Sequence, residues 1–377
     1  MTMAADKQDK VLNVPTLRFP EFTREWVRNT IINVAPLQRG FDLPTQDIEN
    51  GEYPVVYSNG ILRTHKYYKC KAPGLVTGRS GSIGNFTYIP EGYYWPHNTS
   101  LWVTNFHNND PLFIYYLYHT INISQYATGS GVPTLNRNDV HRHEVSIPLT
   151  PEQHKIAVFL SLIDKRIATQ IRIIEDLKSL SDAICQQLYA PSGKEDWQTY
   201  KYADLFTISN ERNNKLQYTN VLSASQEYGM IERNELNIDI KFDSSSIINY
   251  KIVHPNQYVI HLRSFQGGFA YSEKTGICSP AYTILMPNEK LSPAFLKYYF
   301  SSKKFIDSLR IVTYGIRDGR SISVEEFLQL KIEIPSIPHQ QHIVKVMQLW
   351  EEKIRIEECY LFKLQQQKQY LLTAMFV

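Results

Sequence analysis

Residues 151–188 constrain this chain more than any other stretch. Read at alternating steps of four and three, Ile156, Leu160, Ile163, Ile167, Gln170, Ile174, Leu177, Ser181, Ile184 and Leu188 fall on one line, and eight of the ten are aliphatic. No Gly interrupts the run and its one Pro is the first residue, so it reads as one long helix with an apolar seam. Thr150 as N-cap, Pro151 at the first helical position and Gln153 reaching back form the start signal. Adding 187 to each seam number gives Ile343, Met347, Trp350, Ile354, Glu357, Leu361, Leu364, Lys368, Leu371 and Met375. The polar breaks coincide: Gln170 with Glu357, Ser181 with Lys368. The same helix is therefore written twice, although the second copy opens Ile337-Pro338-His339-Gln340 with a weaker cap.

The regions before the two helices repeat each other in order. Trp26 is answered by Trp197, Leu75–Thr77 by Tyr258–Leu262, and Pro111–Leu117 by Pro293–Phe300. The turn Thr128–Gly131 is answered by Gly315–Gly319. The cap pair Asn136/Asp139 is answered by Ser323/Glu326. Short β-like runs broken by Gly, Pro and Asn fill the rest. The expected class is α+β: two mixed α/β domains joined by two long antiparallel helices in a coiled coil, with pseudo-two-fold repetition. The divisions are a disordered tail 1–13, a first domain 14–149, a central helix 150–190, a second domain 191–336 and a C-terminal helix 337–377. Residues 14–26 read as a lead-in docked on a domain surface.

One amphipathic helix of this length cannot bury its stripe alone, so its copy is the expected partner. At ~1.5 Å per residue the seam is about 50 Å long, a spacer between two heads. Setting Gln170 against Lys368 and Ser181 against Glu357 groups the polar layers. A polar residue facing Leu would cost about 1–3 kcal/mol.

Several segments together resemble the specificity subunit of type I restriction-modification systems, over nearly the whole chain. They are VPTLRFPEF…W (14–26), GLVTGRSGSIGNF (74–86), GSGVPTLNRNDV with VSIPLTPEQHKI (129–156), GIRDGRSISVEEF (315–327) and IEIPSIPHQQHIV (332–344). The resemblance implies two target-recognition domains, each reading half of a split double-stranded DNA sequence. It also implies helices that pair as spacer and dock two methylation subunits, with restriction/translocase subunits joining for cleavage. It implies no catalysis and no cofactor in this chain, with S-adenosylmethionine expected in the methylation subunit. The second copy departs from it where Arg263–Gly268 replaces the Gly-x-x-Gly run of Arg79–Gly84.

Candidate DNA contacts follow from residue type. Arg79 sits with Thr77, Ser80, Ser82 and Asn85 among glycines, which let backbone approach phosphate; Arg takes phosphate or a guanine edge at two points. A hairpin whose glycines only serve the turn competes with that reading. Arg39, Asn59, Arg63, His65, Lys66 and Lys71 add loop donors in the first head. In the second, Arg212, Asn213, Asn214 and Lys215, Arg263 and Ser264, and Arg317 and Arg320 do the same, against a reading of each as a solvated loop charge. Asn136 and Ser323 read as caps only.

The net charge of +3 requires any basic surface to be local. Four cysteines without metal spacing read as reduced structural thiols in a cytoplasmic protein. There is no signal-peptide pattern and no apolar run of about 20 residues, so no membrane span. No P-loop, GxGxxG helix start, Asn-Pro-Pro-aromatic motif or clustered carboxylate set is present, so no catalytic or metal residue is assigned. The alternative is a coiled-coil scaffold whose heads bind protein or another nucleic acid in a phage-defence complex.

Overall fold

The computed structural model describes residues 12–129, 131–190, 196–225, 228–233, 244–261, 268–309, 313–314 and 321–377. The chain forms two compact units: residues up to Ile171 together with Cys359–Val377, and Arg172–Glu358. These units cut across the head–helix–head–helix division. Each joins one mixed domain to a stretch of both long helices, because the apolar stripe of a helix is buried against the domain as well as against the other helix.

The first domain opens with β1 (Val27–Thr30), α1 (Ile31–Val34) and β2 (Leu37–Arg39). It continues through β3 (Tyr53–Tyr57), β4 (Gly60–His65), β5 (Cys70–Lys71), β6 (Gly74–Gly78), β7 (Phe86–Ile89), β8 (Tyr93–Pro96) and β9 (Ser100–Val103). It ends with α2 (Pro111–Thr120), β10 (Ala127–Thr128), β11 (Thr134–Leu135), α3 (Arg137–His141) and β12 (Glu144–Ile147). β1 pairs antiparallel with β12, Val27 opposite Ile147, so the chain enters and leaves the head side by side. Two four-stranded sheets, β2-β9-β6-β7 and β4-β3-β8-β5, make up the body. Asp110 caps α2 by accepting from the amides of Leu112 and Phe113. The core packs Trp26, Leu75, Leu101, Phe113 and Tyr118 with Ile156 and Leu160 of α4 (Thr150–Leu188), and with Leu371, Met375 and Phe376.

The second domain begins β13 (Gln198–Lys201), β14 (Phe206–Ser209), β15 (Leu222–Ser225), β16 (Gly229–Glu232) and β17 (Lys251–Val253). It proceeds through β18 (Tyr258–Ile260), β19 (Phe269–Tyr271), β20 (Gly276–Cys278) and β21 (Thr283–Pro287). It closes with α5 (Phe295–Ser301), α6 (Lys303–Ser308), β22 (Thr313–Tyr314), β23 (Ser321–Ile322), α7 (Val324–Gln329) and β24 (Lys331–Ile334). β13 pairs with β24 as β1 does with β12, and β14-β21-β18-β19 repeats the order of β2-β9-β6-β7. The second sheet is echoed as well: β15-β16 and β17-β20 answer β3-β4 and β5-β8, and a parallel bridge from Val221 to Ile277 stands where β3 pairs parallel with β8. The core gathers Tyr202, Tyr258, Phe295, Phe300, Phe305 and Phe327 with Ile343 and Met347 of α8 (Ile337–Ala374).

Both long helices start alike, though not as the capping signal implies. The amides of Glu152 and Gln153 bond to the Leu149 carbonyl, so Leu149 rather than Thr150 holds the cap position; the Thr150 hydroxyl donates to Asn108 O. Gln153 is buried and stitches the helix to the loop before α2. Its Oε1 accepts from Asp110 N, and its Nε2 donates to Asn109 Oδ1 and Pro148 O. Gln340, its counterpart in the second long helix, does the same with Ser292 N, Lys290 O and Pro335 O. The second start is thus as well supported as the first: Gln340 N bonds to Ser336 O, and the Ser336 hydroxyl donates to Asp196.

In the first unit the contacts between the long helices differ from those the expected register implies. Polar layers Gln170/Lys368 and Ser181/Glu357 would set Asp164 against Ala374, Arg166 against Leu372 and Lys178 against Tyr360. In the first unit Lys368 Nζ instead lies 2.6 Å from Asp164 Oδ1, and Arg166 stands over the Tyr360 ring. In the second, Lys178 Nζ lies 2.7 Å from Glu358. The two contacts of the first unit lie well off the expected pairing, whereas Lys178 and Glu358 in the second fall within a lysine's reach of it. The reason is charge: a lysine within an apolar seam is better met by a carboxylate than by an amide. Glu357 takes Lys353 on its own helix, and Ser181 lines a cleft with Tyr298 and Met347.

The lead-in docks as expected, with Trp26 in the core and Phe19 edge-on to Phe159. Of the tail, residues 1–11 lie outside the described residues. Asn13 is ordered, bonded to Trp26 and Ser146, so the docked segment begins before residue 14. Cys70, Cys185 and Cys278 are buried free thiols. Burial pushes Cys70 up to about 11 and the other two to about 12.

Candidate nucleic-acid interface

Arg79 follows β6 directly. Its N–H donates to Thr99 O at 3.0 Å and its carbonyl accepts from Leu135 N at 2.7 Å, so its backbone is stitched between two neighbouring segments. Gly78 before it admits no side chain: a Cβ there would lie 2.4 Å from the Ser82 carbonyl. Gly81 sits at φ +74°, which favours glycine. The loop 79–85 is therefore a compact hairpin, and Ser80 bridges to Thr134 of β11, in the hairpin that carries the Gly-rich turn.

Between these two turns opens a cleft of about 410 Å³, where Arg39, Arg79 and Arg137 converge with Thr128, Thr134 and Asn136. Arg39 holds the exposed Asp42 carboxylate at 3.2 Å, an ion pair worth about 0–1 kcal/mol that a phosphate can displace. Neither Arg79 nor Arg137 has a carboxylate partner among the described residues. Burial pulls the pKa of His141 down, and nearby Arg137 pulls it further, against the opposing bond to Leu37. The ring anchors α3 to β2, its Nε2 lying 2.9 Å from Leu37 N and 3.1 Å from Leu37 O. The charge of the cleft is guanidinium charge, with hydroxyls and an amide around it. That is a donor set for phosphate oxygens and base edges.

Of the sequence candidates, Arg39 and Arg79 meet in this cleft, with Ser80, Ser82 and Asn85 in the adjoining loop. Thr77 is a correction: it is 1% exposed in β6, so its hydroxyl cannot touch DNA. Asn59 is exposed in the two-residue turn joining β3 to β4, and Arg63 is exposed on β4. Lys66 is exposed and paired to Glu49 at 3.2 Å. His65 is buried, its Nδ1 accepting from Glu49 N, which makes it structural. In the second head Arg212, Asn214 and Lys215 are exposed around buried Asn213, whose side chain clamps the loop through Tyr218 N and O. Arg263, Ser264, Arg317 and Arg320 lie outside the described residues.

Arg137 is not among the sequence candidates. Its neighbour Asn136 caps α3 as expected, accepting from Asn138 N, and the cap signal conceals the arginine beside it. Ser323 caps α7 likewise. Among the described residues no group of His, Cys, Asp or Glu is arranged to hold a metal, and no helix is long and apolar enough to cross a membrane.

The sequence profile of the type I restriction modification DNA specificity domain matches residues 23–179 and 194–366, once per repeat. The chain belongs to that family. It is a DNA-specificity component of a type I restriction-modification system and not itself an enzyme. Among solved structures it is similar to a type I restriction-modification S subunit from M. genitalium, at 16% identity and TM-score 0.59 over 97% of this chain and 99% of that one. A structure described as the basis of complex assembly and conformational transition of the type I R-M system matches at 12% identity and TM-score 0.59, over 92% and 96%. No curated protein matches by sequence.

Arg79→Ala is expected to weaken DNA binding by about 1–3 kcal/mol. Titrations at several salt concentrations separate its role. A uniform loss with a shallower salt slope marks a phosphate contact, and a loss confined to one sequence marks a base contact. Unchanged affinity would remove the cleft from the interface.

Proposed function

We propose that each unit reads one half of a split double-stranded DNA target, the first through the arginine cleft. The observation that carries this is the paired doorway of each head. β1–β12 and β13–β24 bring the chain in and out on adjacent strands of a repeated framework, which carries different side chains and loops in the two heads. Such a doorway lets the reading surface vary while the mount stays the same. The long helices, which contribute to both units, are the shared mount.

Two methylation subunits dock on that mount. Leu162 and Leu349, equivalent positions of the two long helices, are 56% and 64% exposed, so one solvent-facing apolar position occurs once in each unit. Two copies of one partner account for a repeated contact. The methylation subunit supplies S-adenosylmethionine, restriction/translocase subunits add cleavage, and the complex works in the cytoplasm.

Exchanging residues 27–147 for the same span of a relative tests the reading. Methylation mapping should show one half of the modified site changed and the other half and the gap retained. A change in both halves, or in neither, would refute the division of labour.

A further inference from the structure

Each head is fastened to its long helices by the same tyrosine–carboxylate bond, and the two fastenings draw their positive charge from different places. In the first unit the Tyr116 hydroxyl of α2 donates to Asp164 Oδ2 on α4 at 2.8 Å. In the second the Tyr298 hydroxyl of α5 donates to Glu351 Oε2 on α8 at 2.7 Å. Asp164 and Glu351 are equivalent positions, related by the same offset as the rest of the long helices. Tyr116 and Tyr298 are related by the offset that joins Pro111 to Pro293 before them. The bond is thus one feature of the ancestral repeat.

The counter-ion is not. Asp164 is met by Lys368 on the other long helix at 2.6 Å. The equivalent of Lys368 in the second unit is Ser181, which lines a cleft beside Tyr298 and brings no charge. There the cation comes from the head itself. Lys297 Nζ donates to Glu351 Oε1 at 2.9 Å and Oε2 at 3.1 Å, and also to Glu273. The equivalent of Lys297 in the first head is Tyr115. Lys368 and Lys297 are similarly withdrawn from solvent, with side chains 24% and 21% exposed.

We propose that these residues are a matching set that determines which recognition domain fits which mount. One mount carries its own cation and takes a head with Tyr115. The other has a carboxylate but no cation of its own and takes a head that brings Lys297. A first-type head on the second mount leaves Glu351 without an ammonium. A second-type head on the first mount sets two ammoniums on Asp164, with only the exposed Glu273 of that head to share them. Residues 116, 164 and 368 in one unit, and 298, 351, 297 and 181 in the other, are positioning residues, acting on DNA reading only through the seating of the head. This rests on the reading of the heads as exchangeable DNA readers, but the fastening can be measured without DNA.

The test moves the charge within the intact chain. Lys297→Tyr makes the second head resemble the first. Hydrogen exchange across residues 293–309 should quicken several-fold, while residues 111–120 stay unchanged as internal control. Adding Ser181→Lys should restore protection, because the scaffold then supplies the cation as Lys368 does in the first unit. Ser181→Lys alone should give no gain, since Lys297 already occupies Glu351. Failure of Ser181→Lys to rescue Lys297→Tyr, or an unchanged exchange rate in Lys297→Tyr, would overturn the matching rule. Methylation of each half-site by the same variants, with the partner subunits present, then reports on DNA reading separately. Restored protection with unrestored methylation would count against that reading and leave the fastening intact.

Discussion

Deleting residues 371–377 is expected to unfold the first unit and leave the second folded. These residues stand at the other end of the sequence from the first head, yet they complete its core. Leu371, Leu372, Met375 and Phe376 are all at most 7% exposed within the cluster built on Trp26, Phe113 and Tyr118. Phe376 stacks on Phe113 at 5.2 Å and meets Trp26 edge-on at 6.2 Å. The lead-in closes over the same end, with Leu17 N and the Thr16 hydroxyl both donating to Ala374 O. Removing one buried Leu, Met or Phe side chain costs about 2–5 kcal/mol, so four exceed the ~5–15 kcal/mol that holds a domain together. Phe376→Ala alone should cost about 3 kcal/mol. Hydrogen exchange resolved by peptide gives the answer. Protection should vanish across α2 and β6 while α5 and β18 keep theirs. A truncated chain that still protects α2 would show that the first head's core stands without this segment.

How far the sequence discloses this architecture depends on the kind of signal. The long helices are plain because a heptad seam carries ten independent positions, and a shared offset of 187 joins Gln153 to Gln340 and Asp164 to Glu351. The repeated sheet is only partly visible. Its strands are three to five residues long and the offsets between matching segments drift, so the sequence matches only β6 with β18, and the other strands of β2-β9-β6-β7 and β14-β21-β18-β19 are matched in space. The first unit's register escapes the sequence for a specific reason. Pairing like with like along the seam ignores Asp164, which lies outside the seam and gives Lys368 a charge partner while taking Tyr116 from the head. The cleft is half legible. Arg79 stands out among glycines, while Arg39 joins it only through strand pairing and Arg137 reads as no more than the residue after a cap. Thr77 fails as a candidate because strand β6 faces it into the body.

Glu152→Ala is expected to destabilise the first unit by about 3–5 kcal/mol. Glu152 is 3% exposed near the start of α4. Arg18 grips both of its oxygens at 2.7 Å, and Trp26 Nε1 donates to Oε1 at 3.2 Å. The bond to Glu152 holds the Arg18 guanidinium above even its usual pKa. Truncation would leave a partly buried guanidinium with only the Arg24 carbonyl and a buried indole N–H with no acceptor, so the loss is that of stranded partners and not of one bond. At roughly 2–4 °C per kcal/mol for a unit of this size, the first transition should fall by about 10 °C. Glu152→Gln keeps an acceptor for Trp26 and should fall less. Adding Arg18→Ala to Glu152→Ala should cost less than the two alone, since each removes the other's partner. The second unit is the natural control. At the equivalent position of its long helix stands His339, bonded to Asp196, and the indole N–H of Trp197 has no acceptor among the described residues. The chain therefore tolerates the mount without this carboxylate where no arginine from a lead-in must be met. Additive losses in the double variant, or a transition unmoved by Glu152→Ala, would show that the lead-in is held by its aromatic contacts alone.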